Sequence, residues 1–105
     1  MAKKVSGKKQ EKYVILANKS YGLYVGIIES FDAVNGIAQV RECRHVARWF
    51  GKTGGITSLA AHGLCGPKAS ESRIGAPVHA TLTGIVNLFE CSKEARATFE
   101  AAPQS

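Results

Sequence analysis

Acidic side chains, cysteine pairs and long apolar runs are all scarce in this sequence. Eight Asp and Glu stand against fourteen Lys and Arg, a formal net charge of +6. The cysteines Cys43, Cys65 and Cys91 are odd in number and none is placed in a C-x-x-C pair. That argues against a disulfide framework and for free thiols in a reducing compartment. No apolar run approaches the roughly 20 residues of a helical membrane span. Met1–Lys12 is charged and lacks the apolar core of a secretory leader. The expected location is therefore the cytoplasm, with no membrane partner. G-x-S-x-G, H-E-x-x-H and G-x-x-x-x-G-K-[ST] are missing as well. Catalysis is disfavoured on that ground: the expectation is no enzyme, no cofactor and no metal.

What is present suits one small domain. A chain of 105 residues holds one core, and 45% hydrophobic residues is ordinary for a globular chain. Eleven glycines predict several tight turns, hence short strands over long helices. The positive charge is uneven. Five lysines (Lys3, Lys4, Lys8, Lys9, Lys12) and one acid fall in residues 1–12, leaving nine bases and seven acids elsewhere. Residues 1–11 read as a disordered basic arm, 12–102 as a single globular domain and 103–105 as a tail. A lysine-rich arm attracts nucleic acid, although it also keeps proteins soluble.

Within the domain, the β-branched and aromatic Lys12–Ala17 predicts a first strand ending at Asn18-Lys19-Ser20. Tyr21–Phe31 predicts a second, with Gly22 and Gly26 marking a bend or close backbone approach. Asp32–Gly36 is a hairpin turn, with Asn35-Gly36 as its signal. Ile37–Glu42 and His45–Phe50 predict a third and a fourth strand. Ile56–His62 predicts a short helix with Thr57 as cap and Gly63 as left-handed stop. Gly66–Pro77 reads as a loop. Val78–Cys91, with Gly84 midway, is one bent strand or two short ones. Ser92 caps a last helix, Lys93–Ala101, whose Ala95 and Phe99 share a face. The fold class is mainly β with two short helices (α+β): a small bent antiparallel sheet or an open β-barrel. Exposed sheet edges predict a homo-oligomer.

The densest basic cluster is Arg41, Arg44, His45, Arg48 and Lys52, with Trp49 and Phe50 among them. Guanidinium groups grip phosphates and an aromatic plane stacks a base. The candidate ligand-binding residues are Arg41, Arg44, His45, Arg48, Trp49 and Lys52; the candidate nucleic-acid contacts are Lys3, Lys4, Lys8, Lys9 and Lys12. Strand alternation sets Arg44 and Arg48 on one face and His45 and Trp49 on the other, so charge and ring meet only if a bulge intervenes. Cys43, His45, His62 and Cys65 could supply four zinc ligands, but their spacing fits no standard finger. A Cys/His nucleophile pair would require proximity that sequence does not show. Lys52-Thr53-Gly54-Gly55 shares only composition with a phosphate loop. Glu29, Asp32 and Glu42 flank the hairpin and are expected to face solvent.

Three longer strings, KYVILANKSYGLYVGIIES, RECRHVARWFGKTGGITSLAAHG and VNLFECSKEA, resemble a family of short bacteriophage proteins known as a domain of unknown function. Its members run as a KYVI-type strand, a G-x-x-x-G segment, an A-R-R-I-W-Y-W-x-G strand, S-L-x-x-L-A-x-x-G and an I-P-C-T-x-x-A-like ending. The matching pieces are Lys12–Ile15, Gly22–Glu29, His45–Gly51, Thr57–Gly63 and Phe89–Ala95. Ala47-Arg48-Trp49-Phe50 stands where a Trp-Tyr-Trp cluster is common, and the basic arm is longer than the family pattern. The resemblance implies a phage or prophage origin and an accessory role, and brings no established activity. The leading expectation is a non-enzymatic, oligomeric phage accessory protein in the host cytoplasm. It would bind a nucleotide-type ligand or a host protein, with antagonism of host defence as one use. The alternatives are a nucleic-acid-binding protein using the arm with Arg41, Arg44 and Arg48, and a minor virion structural protein.

Overall fold

A computed structural model of the chain describes residues 11–20, 22–51 and 55–104. Most of the expected arm, including Lys3, Lys4, Lys8 and Lys9, lies outside the described residues, as does Lys52. The strands are β1 (Lys12–Asn18), β2 (Leu23–Asp32), β3 (Ile37–Arg48), β4 (Arg73–Ile74), β5 (Val78–Leu82) and β6 (Ile85–Glu90). Helix α1 covers Ile56–His62 and α2 covers Lys93–Ala101, with a 3-10 turn at Ala69–Glu71. The six strands form one antiparallel sheet in the order β4-β3-β2-β1-β6, and β5 shares the outer edge of β3 with β4. The protein is therefore mainly β with two helices, built on a small bent sheet.

The bend is severe. β5 and β6 lie on opposite margins of the sheet, yet only Thr83 and Gly84 separate them. Three chain steps reach at most roughly 11 Å, so at that end the margins have curled to within this distance. The sheet is not closed, because β5 pairs with β3 and β6 with β1. Backbone bonds sew the crossing in place: Lys19 N–H donates to Gly84 O (2.7 Å) and Ile85 N–H to Gly36 O (3.0 Å).

The curvature has a local cause. Ile37–Glu42 and His45–Phe50, expected as two strands, are a single strand β3, bulged where Glu42 takes a positive φ of 53°. The pairing of β3 shifts register there against both neighbours, β2 and β5. One extra residue bends a strand and switches the face on which later side chains emerge. Val40 and Cys43 both point inside the curl although they are an odd number of residues apart. Gly26, across from the bulge, has no room for a side chain. A Cβ there would lie 2.5 Å from Val40 Cγ1 and 3.0 Å from both Arg41 O and Cys43 Cα.

β1 runs through the middle of the molecule and is buried on both faces. Tyr13 and Ile15 pack with Val25, Ile27, Val46, Leu59 and Phe99 beneath the helices. Val14 and Leu16 pack with Ala38, Val40, Cys43 and Ile85 inside the curl. That two-sided burial explains why KYVILA is an unbroken apolar run without polar alternation. α2 begins as expected: Ser92 Oγ accepts from Ala95 N–H (3.0 Å), and Ala95 and Phe99 are fully buried.

α1 has the expected bounds but different ends. Gly55, not Thr57, holds the N-cap position, and Thr57 falls inside the first turn. Gly63 has the expected positive φ, 72°, but its ψ of −158° lies outside the left-handed helical well, in a region essentially reserved for glycine. Contact with α2 is a second constraint, since a Cβ would collide with Thr98 Oγ1 and sit 2.8 Å from Ala95 Cα. The expected loop at Gly66–Pro77 contains the 3-10 turn and β4, because Ile74 pairs with Val46 and is buried. Among the described residues no helix is long and apolar enough to cross a membrane.

Gly26→Ala tests the bend directly. Overpacking against backbone atoms should destabilise the fold by about 2 kcal/mol, measured as a lower urea midpoint. An unchanged midpoint would show that the curl does not depend on this close approach.

Candidate functional site

The structure separates the expected arginine cluster. Arg44 is 6% exposed and lies inside the fold. Its guanidinium donates from Nε to Gly75 O (2.6 Å), from Nη1 to Phe99 O (2.8 Å) and from Nη2 toward Ile74 O (3.5 Å). These bonds tie the last turn of α2 and the segment after β4 to β3. With its donors spent on carbonyls, Arg44 presents no face to a ligand. The bulge explains the difference, because it sends Arg44 and Val46 toward the helices. Arg41 is held in an acidic surround, hydrogen-bonded to Glu11 and 3.3 Å from Glu29 Oε2, and Glu29 also contacts His79 Nε2 at 3.1 Å. Lys12 pairs with Glu90 at 3.2 Å. His45 is exposed, with its ring centroid 5.2 Å from that of Tyr24.

Arg48 is the member of the set that reaches open surface with cations around it. It stands directly across the ladder from Arg73. Like charges at opposed positions destabilise a sheet by up to ~1 kcal/mol. The Arg48 guanidinium lies 5.2 Å from the Phe50 ring centroid, and Lys68 Nζ lies 6.0 Å from the same ring. Phe50 is anchored by its N–H to Ser72 Oγ (3.1 Å), and Arg73 Nη1 leans on Ser72 O (3.4 Å). The register shift between Val46 and Arg48 turns Arg48 to the surface, and Phe50, two residues on, shares its side by ordinary alternation. The ring concerned is Phe50, not Trp49.

Among the described residues, Lys12, Arg41 and Arg96 all have carboxylate partners, whereas Arg48, Lys68 and Arg73 have none. Arg48 and Lys68 thus flank one half-buried ring, with Arg73 across the ladder from Arg48, and none of the three has a carboxylate partner among the described residues. Lys68 and Arg73 were not legible as site residues, because they fall in a Gly- and Pro-rich stretch and reach Arg48 only through the two-residue strand β4. Pairing of Ile74 with a buried Val46 was the signal available, and two residues are too short a run to read from sequence.

Trp49 turns the other way. It packs against the main core and lines a cleft of about 380 Å³ between the start of α1 and the ends of β1 and β2. The expected ligand set therefore divides between an interior clamp, an acid-paired arginine, a cationic patch and a separate cleft.

Burial keeps two of the three thiols, Cys43 and Cys91, in the neutral form. Among the described residues no three His, Cys, Asp or Glu side chains converge as metal ligands would. Burial pushes the Cys43 thiol up from 9.0 to about 11 and the Cys91 thiol to about 12. Burial also raises the Tyr13 hydroxyl, and the Glu100 carboxylate adds to that shift. All three groups stay neutral near pH 7, so neither Cys43 nor Cys91 is activated as a thiolate.

The family described as Domain of unknown function (DUF6948) matches residues 11–99. The chain belongs to this family. The DUF6948 match spans all six strands, α1 and most of α2, so the bulge, the Arg44 clamp and the cationic patch lie inside the family domain. No curated protein and no solved structure matches the chain.

Two outcomes follow for this DUF6948 domain. Arg44→Met should destabilise it by about 3 kcal/mol, because the carbonyls of Phe99 and Gly75 lose a charged donor; Arg44→Lys should recover part of this in urea unfolding. A small loss for both would mean that the clamp is dispensable. The raised thiols set an alkaline limit. A folded-state pKa above the unfolded value gives stability that is full below about pH 9 and is lost as pH rises toward 11 and 12. The melting temperature should fall from pH 9 to pH 11, and Cys43→Ala should make the decline shallower.

Proposed function

We propose that this DUF6948 protein is a non-enzymatic binding protein and that its ligand is the phosphodiester backbone of single-stranded nucleic acid. The observation that carries this reading is the patch that Arg48, Lys68 and Arg73 form with Phe50, without a carboxylate partner among the described residues. Cations placed side by side cost stability unless a polyanion uses them. Arginine grips phosphate by two parallel hydrogen bonds, and a fixed ring offers a base a stacking surface. The lysine arm would add sequence-independent attraction and a faster encounter.

None of the patch's four residues lines the four clefts found among the described residues. Sites for small ligands are concave, so an extended strand suits this surface better than a free nucleotide. Arg41 and Arg44 leave the interface, and Lys68 and Arg73 replace them. A phage accessory role in the cytoplasm of an infected cell is compatible with this activity, and so is a minor place in the virion. Both rest on the family resemblance.

Anisotropy of a fluorescein-labelled dT oligonucleotide tests the proposal. Binding should weaken steeply with salt, and Arg48→Ala and Arg73→Ala should each lower the salt slope by about one. Phe50→Ala should cost ~1–3 kcal/mol at every salt concentration. Unchanged affinity in the Arg48→Ala/Arg73→Ala double variant would overturn the assignment. Displacement of the oligonucleotide by micromolar mononucleotide would reassign the patch to a free nucleotide.

A further inference from the structure

The Trp49 cleft lies apart from the cationic patch and has a different chemistry. Its walls are Ala17, Leu23, Trp49 and Ile56, and the last three pack into the main core from behind. Lys19 and Asn87 supply the polar groups at its margin. At about 380 Å³ it falls in the range of small-ligand sites.

The backbone of Lys19 is held in place by the fold. Its backbone N–H donates to Gly84 O at 2.7 Å. Its stem lies over Gly84, with Cγ and Cε 3.4 and 3.5 Å from the point a Cβ of residue 84 would occupy. The neighbouring Asn18 is fully engaged, donating from Nδ2 to Thr83 O (2.6 Å) and accepting at Oδ1 from Ser20 N–H (2.6 Å). The turn carrying Lys19 is thus locked to the β5–β6 crossing. Among the described residues no carboxylate pairs with Lys19 and no hydrogen bond engages the Asn87 amide.

We propose that this cleft is a second binding site, for a small flat aromatic monoanion such as an aromatic carboxylate. The indole and the aliphatic walls would take the ring. Lys19 would take the carboxylate, with the Asn87 amide as a further donor. A neutral apolar molecule would leave the Lys19 ammonium without a partner, and a polyanion would outnumber the single cation. The site is independent of the nucleic-acid patch, since the two share no residue.

Trp49 is the sole tryptophan of the chain, so one indole cross-peak in a proton–nitrogen correlation spectrum reports on the cleft. Titration with 1-naphthoate should move that peak saturably, with a dissociation constant below about 1 mM. Lys19→Gln should weaken 1-naphthoate about tenfold. 1-Naphthalenemethanol, the uncharged analogue, should bind the native chain and the variant equally weakly. Arg48→Ala should leave 1-naphthoate binding unchanged. Lack of a saturable shift in the native chain would overturn the proposal, as would equal 1-naphthoate affinity in Lys19→Gln.

Discussion

The close approach of Gly26 to the bulged turn of β3 governs much of this molecule. A flat sheet with these strands would bury one face under the helices and leave Val14, Leu16, Val40 and Ile85 on the other side in water. Folding β3 back over Gly26 brings those side chains against one another. A second core thus comes from curvature alone. Apolar burial stabilises by ~25 cal/mol per Å², so the gain far exceeds the ~1–2 kcal/mol of strain at a non-glycine residue with positive φ. Glu42 carries that strain at the surface, where its side chain needs no partner.

The same bulge decides which groups are interior and which can meet a ligand. It directs Arg44 beneath the helices, where a guanidinium with only carbonyl oxygens as acceptors joins three segments far apart in sequence. Carbonyl groups do not neutralise the charge, so this clamp holds by hydrogen-bond geometry rather than by ion pairing. Its dependence on the last turn of α2 links that helix to β3. The second irregularity, before Arg48, returns the chain to the surface beside Phe50.

Much of the fold was legible from local signals. Lys12–Ala17, Ile56–His62 and Lys93–Ala101 stood out by their apolar patterns, and for Lys93–Ala101 the cap Ser92 was legible as well. Of the two readings open for Val78–Cys91, the structure shows two short strands, with Gly84 at φ 67° between β5 and β6. What escaped was non-local. A bulge at a glutamate has no sequence signature, so β3 was divided and the alternation of its side chains was carried past the shift. Arg41, Arg44 and Arg48 are close in sequence but end in an acidic network, an interior clamp and a cationic patch. Lys68 and Arg73 join that patch through β4, which exists only because Ile74 finds Val46. Trp49 was legible as a residue of interest, but the cleft that it lines is assembled from β1, β2, α1 and β6.

The pairing of β1 with β6 has a consequence for how the chain is made. The first strand needs a neighbour that lies some seventy residues later, at Ile85–Glu90. During synthesis at about 5–20 residues per second, KYVILA leaves the ribosome seconds before that neighbour exists. β2 can join it early as a hairpin, but the other edge stays bare until nearly the whole chain has emerged. The nascent chain thus carries KYVILA half-covered until Ile85–Glu90 emerges, and a chaperone that shields the bare edge would protect it over that interval.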